Sequence, residues 1–244
     1  MLSRPLSKTA LQQGAQCPRM LWIKYNMPSS TDSNDNNDQE QFEIGNIIGQ
    51  AARKYFNDGK TVMINTDRGF DPSNYNLYAQ ETINAMNDSE VATIAEATFY
   101  TGELIVFIDL LHRNENGGWD IYEVKSTNRV SPTHAQDAAW QTYVARTLCD
   151  VDIKNTYLMH PRSGWSNIAS KSHTDKNDFE IVDMFSDWIR TQSVSTETAE
   201  CIAYLSSMVK KPEPPACACE PGRGECCCSP YRCNFVNRCR ILNS

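Results

Sequence analysis

No stretch of this sequence approaches the roughly 20 consecutive apolar residues a helix needs to cross a bilayer, and the opening MLSRPLSKTALQQ lacks the apolar core of a secretory leader. A spanning or exported protein is disfavoured on these grounds, and a cytoplasmic setting is the expectation. Positive charge is also short: 23 Lys and Arg against 30 Asp and Glu give a formal net charge of −7. That excludes a general electrostatic pull toward nucleic acid, so any such binding must rest on a local basic surface. Its candidates are Arg4, Lys8, Arg19, Lys24, Arg53, Lys54, Arg146, Lys210 and Lys211. Histidine is scarce, with four in the chain and none in the cysteine-rich C-terminal stretch, so a metal there would meet sulfur only. In the absence of a leader, the ten cysteines point to thiolate ligation over disulfides.

What the chain does carry is concentrated in FIDLLHRNENGGWDIYEVK, Phe107 to Lys125. Glu103 to Leu111 is apolar on both faces, the mark of a central strand covered on both sides. A turn centred on Asn116 sets Asp109 opposite Glu123, and strand alternation puts Glu123 and Lys125 on the same side. Two carboxylates and an ammonium then converge. A Mg²⁺-dependent phosphodiester hydrolase requires this set: hard oxygen ligands for the metal, and a cation to orient the nucleophile or steady the phosphorane charge. Asp109, buried on such a strand, would be costly without a metal or a hydrogen-bond partner. The preceding strand is VATIAEATFY, residues 91–100. A two-residue Thr101-Gly102 turn would set Glu96 opposite Phe107, on the face of Asp109, as an auxiliary acid or further metal ligand.

The remaining pattern is that of an α/β protein, with a mixed central sheet (an antiparallel meander plus a crossover strand) flanked by helices, in a single domain spanning residues 1–244. Ser7 caps a first short helix and Cys17-Pro18 begins a second. PSSTDSNDNNDQE has no apolar residue to bury, so residues 28–40 read as a disordered surface loop. A helix over 42–56 carries Gly45 and Gly49, read as close packing against the sheet; another covers about 75–86. A helix from Pro132 to about Leu148 presents His134, Asp137, Gln141 and Ala145 as one polar stripe that can lean over the carboxylates. It carries the chain to a fourth strand, Asp152 to His160. A polar loop over 161–177, a short strand at 179–182 and a helix capped by Ser195 or Thr196 follow, stopped by Pro212, Pro214 and Pro215.

Late in the chain, Cys228, Cys233 and Cys239 are separated by four and five residues. Three ligands need a fourth, and Cys17 is the natural donor if the two ends of the fold meet. The Cys-rich segment 212–244 would then pack on the N-terminal helix, with Arg232, Arg238 and Arg240 offsetting the thiolate charge. Cys217, Cys219, Cys226 and Cys227 leave the ligand set open.

In this order, Cys17-Pro18, the Gly45-to-Gly49 helix, Asp109, Glu123-Val124-Lys125, the Gln141 helix and three late cysteines resemble the PD-(D/E)XK nuclease superfamily. The likeness is to its RecB-like branch with a split cysteine cluster, as in the CRISPR-adaptation exonucleases and the AddB helicase–nuclease subunit, and it runs from Leu6 to Cys239. It implies a restriction-endonuclease-like core in which Asp109, Glu123 and the Val124 carbonyl hold Mg²⁺ or Mn²⁺. Lys125 would position the attacking water, and Gln141 would contact the DNA or order the site. Cys17, Cys228, Cys233 and Cys239 would hold a [4Fe-4S] cluster, with Zn²⁺ the alternative. The implied reaction is metal-assisted hydrolysis of DNA, acting on single-stranded ends, beside a helicase or other DNA-processing partner. Two positions depart from the pattern: Gly49 stands where many RecB-like members have a metal-binding histidine, and Ala145 stands where a tyrosine is usual, with Tyr143 earlier. A thinner metal site follows from the first. The competing readings are a catalytically weak nucleic-acid-binding module and a thiol-rich zinc or redox protein on the same scaffold.

Overall fold

A computed structural model describes residues 4–27, 37–56, 59–64, 71–169, 171, 175–184, 192–217, 227, 229 and 232–242. In chain order the first elements are β1 (Leu6–Ser7), α1 (Lys8–Gln16), α2 (Pro18–Asn26), α3 (Asn37–Arg53), β2 (Lys60–Met63), α4 (Tyr75–Asn87), β3 (Val91–Tyr100) and β4 (Leu104–Arg113). Then come β5 (Trp119–Val124), α5 (Pro132–Thr142) with a π-helical continuation over Tyr143–Leu148, β6 (Ile153–Pro161), α6 (Trp165–Ala169), β7 (Phe179–Asp183), α7 (Gln192–Met208) and α8 (Val236–Ile241). They divide into two compact units, one of Met1–Asp35, Gly102–Leu104 and Thr196–Ser244, the other of Asn36–Thr101 and Ile105–Ser195.

The α/β class with a mixed sheet holds. Six strands run in the order β2-β3-β4-β5-β6-β7, with β1 pairing off this path to make a seventh. β2 with β3 and β5 with β6 are parallel; β3–β4, β4–β5 and β6–β7 are antiparallel. Parallel neighbours need a crossover connection, which α4 and the α5 segment supply. On one face of the larger unit, Ile48, Ala51 and Ala52 of α3 pack on Ala95, Leu110, Met159 and Phe179. On the other, Ala135 and Ala138 of α5 pack on Leu158 and Met184. Since Leu110 faces α3, alternation turns its neighbour Asp109 toward α5.

The β4–β5 turn fixes this arrangement. Asn116 N–H donates to Asn114 Oδ1 (2.8 Å) and Gly117 N–H to the Asn114 carbonyl (3.0 Å). Gly118 has φ +75, and a Cβ there would lie 2.5 Å from the Asp152 carbonyl oxygen, so only glycine fits.

In the smaller unit, Ala10 N–H donates to Ser7 Oγ (3.2 Å), the predicted cap of α1. Leu6 N–H donates to the Glu103 carbonyl, Trp22 Nε1–H to the Lys211 carbonyl and Asn26 Nδ2–H to the Val209 carbonyl. Gly14 of α1 lies so close to Leu21 and Leu205 that a Cβ would sit under 3.0 Å from both.

Several expectations need correction. The β3–β4 hairpin is wider than a two-residue turn allows: Tyr100 pairs with Ile105 and Thr98, not Glu96, with Phe107. Gly45 and Gly49 do not press on the sheet: among the described residues a Cβ on Gly45 would meet nothing within 4 Å, and one on Gly49 only the Arg53 side chain. Of the loop expected over 28–40, residues 37–40 already belong to α3 and the remainder lies outside the described residues. α7 begins at Gln192, ahead of the expected caps, and β2, α6 and α8 are additional elements. No helix among the described residues is long and apolar enough to cross a membrane.

Candidate active site

The centre of the larger unit is set by backbone register. Leu110 pairs with Tyr122 and Leu111 with Ile121, a register that continues to Asp109 opposite Glu123. Asp109 Oδ2 accepts the Val124 N–H at 2.7 Å. Glu123 is buried on the same face, pairing along β6 with Leu158, which contributes to the α5-side core. Two residues on, Lys125 directs its Nζ to Glu123 Oε1 at 2.6 Å and to Asp137 Oδ2 at 2.9 Å. Gln141, one helical turn after Asp137, donates its Nε2–H to Glu123 Oε2. Four of the expected residues thus meet on one face: Asp109, Glu123, Lys125 and Gln141. Asp137 joins them. Its place on the polar stripe with Gln141 was the signal in the sequence, though nothing there assigned it Lys125 as a partner.

Burial alone would lower the Lys125 pKa, but the carboxylates of Glu123, Asp137 and Asp109 outweigh it and hold the ammonium well above its ordinary range. Lys125 is therefore a fixed cation at neutral pH and no general base. Burial, and then the positive charge of Lys125, push the half-buried His134 imidazole below its ordinary value, against Asp137 and Glu123. His160 is buried two residues beyond Leu158 on β6, on this same face of the sheet.

Mg²⁺ is typically held by one or two carboxylates, with water and phosphate oxygens completing its shell. Asp109 and Glu123 supply such oxygens. Gln141 is wholly buried, and its Oε1 has no hydrogen-bond partner among the described residues. Because its Nε2 is committed to a carboxylate oxygen, flipping the amide would set oxygen against oxygen, so the acceptor remains orphaned. An orphaned acceptor beside Glu123 fits a donor that arrives with the ion, such as a metal-bound water. Among the described residues no three His, Cys, Asp or Glu side chains form a group that could hold a metal unaided. The protein's share would be two carboxylates and the Val124 carbonyl. Glu96, the further acid, falls opposite Asp109 by continuation of the flanking pairs Ala95–Leu110 and Ala97–Ile108. Its φ of +56 lies in the left-handed region, which a non-glycine residue in mid-strand occupies only under strain.

The cysteines of the smaller unit lie in the two ends of the chain. Cys17, at the start of α2, and Cys233 and Cys239 are buried, while Cys228 lies outside the described residues. Cys217 Sγ lies 3.6 Å from Cys239 Sγ. Burial pushes the Cys17 thiol above its ordinary value, against hydrogen bonds from the Met20 and Arg19 backbone, with Cys217 and Cys227 nearby adding to the rise. Cys233 N–H donates to the Cys227 carbonyl (2.9 Å), and Phe235 N–H to Cys233 Sγ (3.4 Å). A guanidinium beside Cys239 is that of Arg19, Nη1 to Sγ 3.8 Å. Burial and the neighbouring Cys217 push the Cys239 thiol up to about 12, against the pull of Arg19. Arg19 is thus buried by its role here and is no surface cation for nucleic acid. Lys24 and Lys210 are also drawn into local contacts, with Gln13 and Glu103.

No protein-family model matches the chain, and no curated protein matches it in sequence. The geometry of the two clusters is what bears on function.

Proposed function

We propose that the larger unit is a metal-dependent nuclease that hydrolyses phosphodiester bonds in DNA, acting on single-stranded ends in the cytoplasm. The observation that supports this most is the convergence of Asp109, Glu123 and Lys125 on one sheet face, backed by Gln141. Asp109 and Glu123, with the Val124 carbonyl, would hold Mg²⁺ or Mn²⁺. The ion, when bound, lowers the pKa of its water and neutralises phosphate charge. Lys125, a permanent cation here, orients the water and the scissile phosphate by hydrogen bonding. Gln141 fixes Glu123 through its Nε2 and offers its orphaned Oε1 to a water hydrogen. Glu96, across from Asp109, is the nearest reserve of negative charge by register. The arrangement is consistent with the PD-(D/E)XK nucleases, whose RecB-like branch the sequence resembles, and a helicase is the partner that likeness suggests. The test is cleavage of labelled single- and double-stranded DNA, and of RNA, with Mg²⁺ or Mn²⁺. Cleavage that is lost in Asp109→Asn and Lys125→Ala supports the reading; an inert wild-type chain on every substrate overturns it in favour of a binding module.

For the smaller unit we propose a thiolate-bound metal centre, [4Fe-4S] or Zn²⁺, that includes Cys17 and Cys239. Two sulfurs on one tetrahedral zinc, each about 2.3 Å from the ion, lie about 3.8 Å apart. The 3.6 Å between Cys217 and Cys239 suits that geometry, so of the two candidates zinc is favoured, with this pair as its starting ligands and Cys17 drawn in on binding, since no three described side chains are already grouped for a metal. Elemental analysis decides it: stoichiometric zinc and no visible absorption support zinc, iron with acid-labile sulfide supports the cluster, and a metal-free protein overturns both.

A further inference from the structure

We infer that Asp137 is the positioning residue for Lys125, anchoring the ammonium while Glu123 is engaged elsewhere; the inference rests on the nuclease reading above. Lys125 carries its charge on a flexible four-carbon stem, and its side chain is 22% exposed, so it needs anchors to hold one direction. It has two, Glu123 Oε1 and Asp137 Oδ2. In the proposed reaction they are not equivalent. Glu123 is the carboxylate that would be shared with a divalent ion, and its other oxygen is already taken by Gln141. Asp137, 1% exposed, is not among the carboxylates proposed to hold the ion.

The backbone behind Asp137 is well fixed. Ser131 caps α5 by accepting the His134 N–H, and Ala135 and Ala138, flanking Asp137, are packed on Leu158. Asp137 and Gln141 are four residues apart and share a helix face. One face of one helix therefore supplies a carboxylate to Lys125 and an amide to Glu123, bracketing both ends of the Glu123-Val124-Lys125 segment. A purely structural ion pair would serve equally well if it met either residue; α5 meets both.

The experiment compares Asp137→Asn and Asp137→Glu with wild type in single-turnover cleavage of end-labelled DNA at saturating Mn²⁺. The expected result is a loss of about 100-fold in rate for Asp137→Asn, with KM within about twofold, and recovery of at least about tenfold by Asp137→Glu. Asp137→Asn added to Lys125→Ala should cost nothing more, because the two act as one unit. Mn²⁺ affinity, read from the paramagnetic resonance of free ion, should stay within about threefold; a tenfold weakening would make Asp137 a metal ligand and overturn the proposal. A readout independent of cleavage is the exchange-protected ammonium signal of Lys125 in ¹⁵N-resolved NMR, expected in wild type and in Asp137→Glu and lost in Asp137→Asn. If Asp137→Asn fails to fold, Asp137→Glu alone decides: retained protection with a measurable rate supports the role, and a lost signal at full rate overturns it. An inert wild type sinks the nuclease reading itself, whereas an active wild type matched by a fully active Asp137→Asn sinks only this inference.

Discussion

The two clusters of reactive side chains differ in how far apart in the chain their members lie. On the sheet face, Lys125 and Asp137 are 12 residues apart, Asp109 and Val124 are 15 apart, and Glu123 and Gln141 are 18 apart. In the smaller unit, Arg19 reaches Cys239 across 220 residues. The first cluster follows from one turn, one strand pair and the helix after it, each determined by nearby sequence. The second exists only once both ends of the chain have folded together, and its membership depends on the path of the segments that carry the cysteines. Short-range geometry makes the carboxylate site a consequence of local rules; long-range closure makes the thiol site a consequence of the completed fold.

That contrast can be broken most directly at the carboxylates. Asp109→Asn should reduce cleavage by about 100-fold or more, since it removes a charge from the ion while keeping the side chain's shape. Gel assays at saturating metal, with circular dichroism to establish an unchanged fold, measure it. A next effect is expected on stability. Gly118→Ala forces a Cβ against the Asp152 carbonyl in a left-handed conformation, and should cost about 2 kcal/mol or more in urea unfolding while disturbing the register that sets Asp109 against Glu123. On the thiol side, Cys217→Ser should lower bound metal and the midpoint of thermal unfolding together, by an amount equivalent to about 2 kcal/mol. Cys201→Ser, outside the cluster, should do neither.

Smaller effects sharpen the comparison. Glu96→Gly relieves a left-handed backbone and should raise stability by about 1 kcal/mol while weakening Mn²⁺ binding. The smallest is a pH slope. The folded His134 titrates below its unfolded value of about 6.5, so the unfolded chain takes up a proton first. Stability present above that pH is lost as pH falls through it. His134→Gln should flatten the pH dependence of urea midpoints on the acid side of neutrality and leave the alkaline side unchanged.

How much of this was legible follows the same division. Alternation and the Asn116 turn were enough to set Asp109 against Glu123, and to put Lys125 beside Glu123, because a strand has only two faces. Periodicity grouped Asp137 with Gln141 but could not say that Lys125 bends back to reach the former. Thr101-Gly102 reads as a two-residue turn that sets Glu96 two residues out of register, because nothing in it announces a wider loop or a residue at positive φ in mid-strand. β2 escaped notice because Lys60 to Met63 is short and largely exposed, with no apolar alternation to betray it. Gly45 and Gly49 have the spacing of close-contact positions, yet among the described residues their side of α3 is open, a matter of which face the helix turns inward. Among the cysteines, spacing alone favoured Cys228 and Cys233 beside Cys239; that Cys217 comes to lie against Cys239 depends on where the chain runs after the prolines.

The π-helical turn from Tyr143 to Leu148 carries a consequence for reading α5 by position. Cys149 N–H donates to the Val144 carbonyl, five residues back, so each residue in this stretch advances less around the axis than α-helical counting assumes. Ala145 therefore lags behind the line drawn through His134, Asp137 and Gln141. Any alignment that transfers a role to the position four after the glutamine must open a one-residue gap beyond Thr142, or it will name a side chain pointing elsewhere.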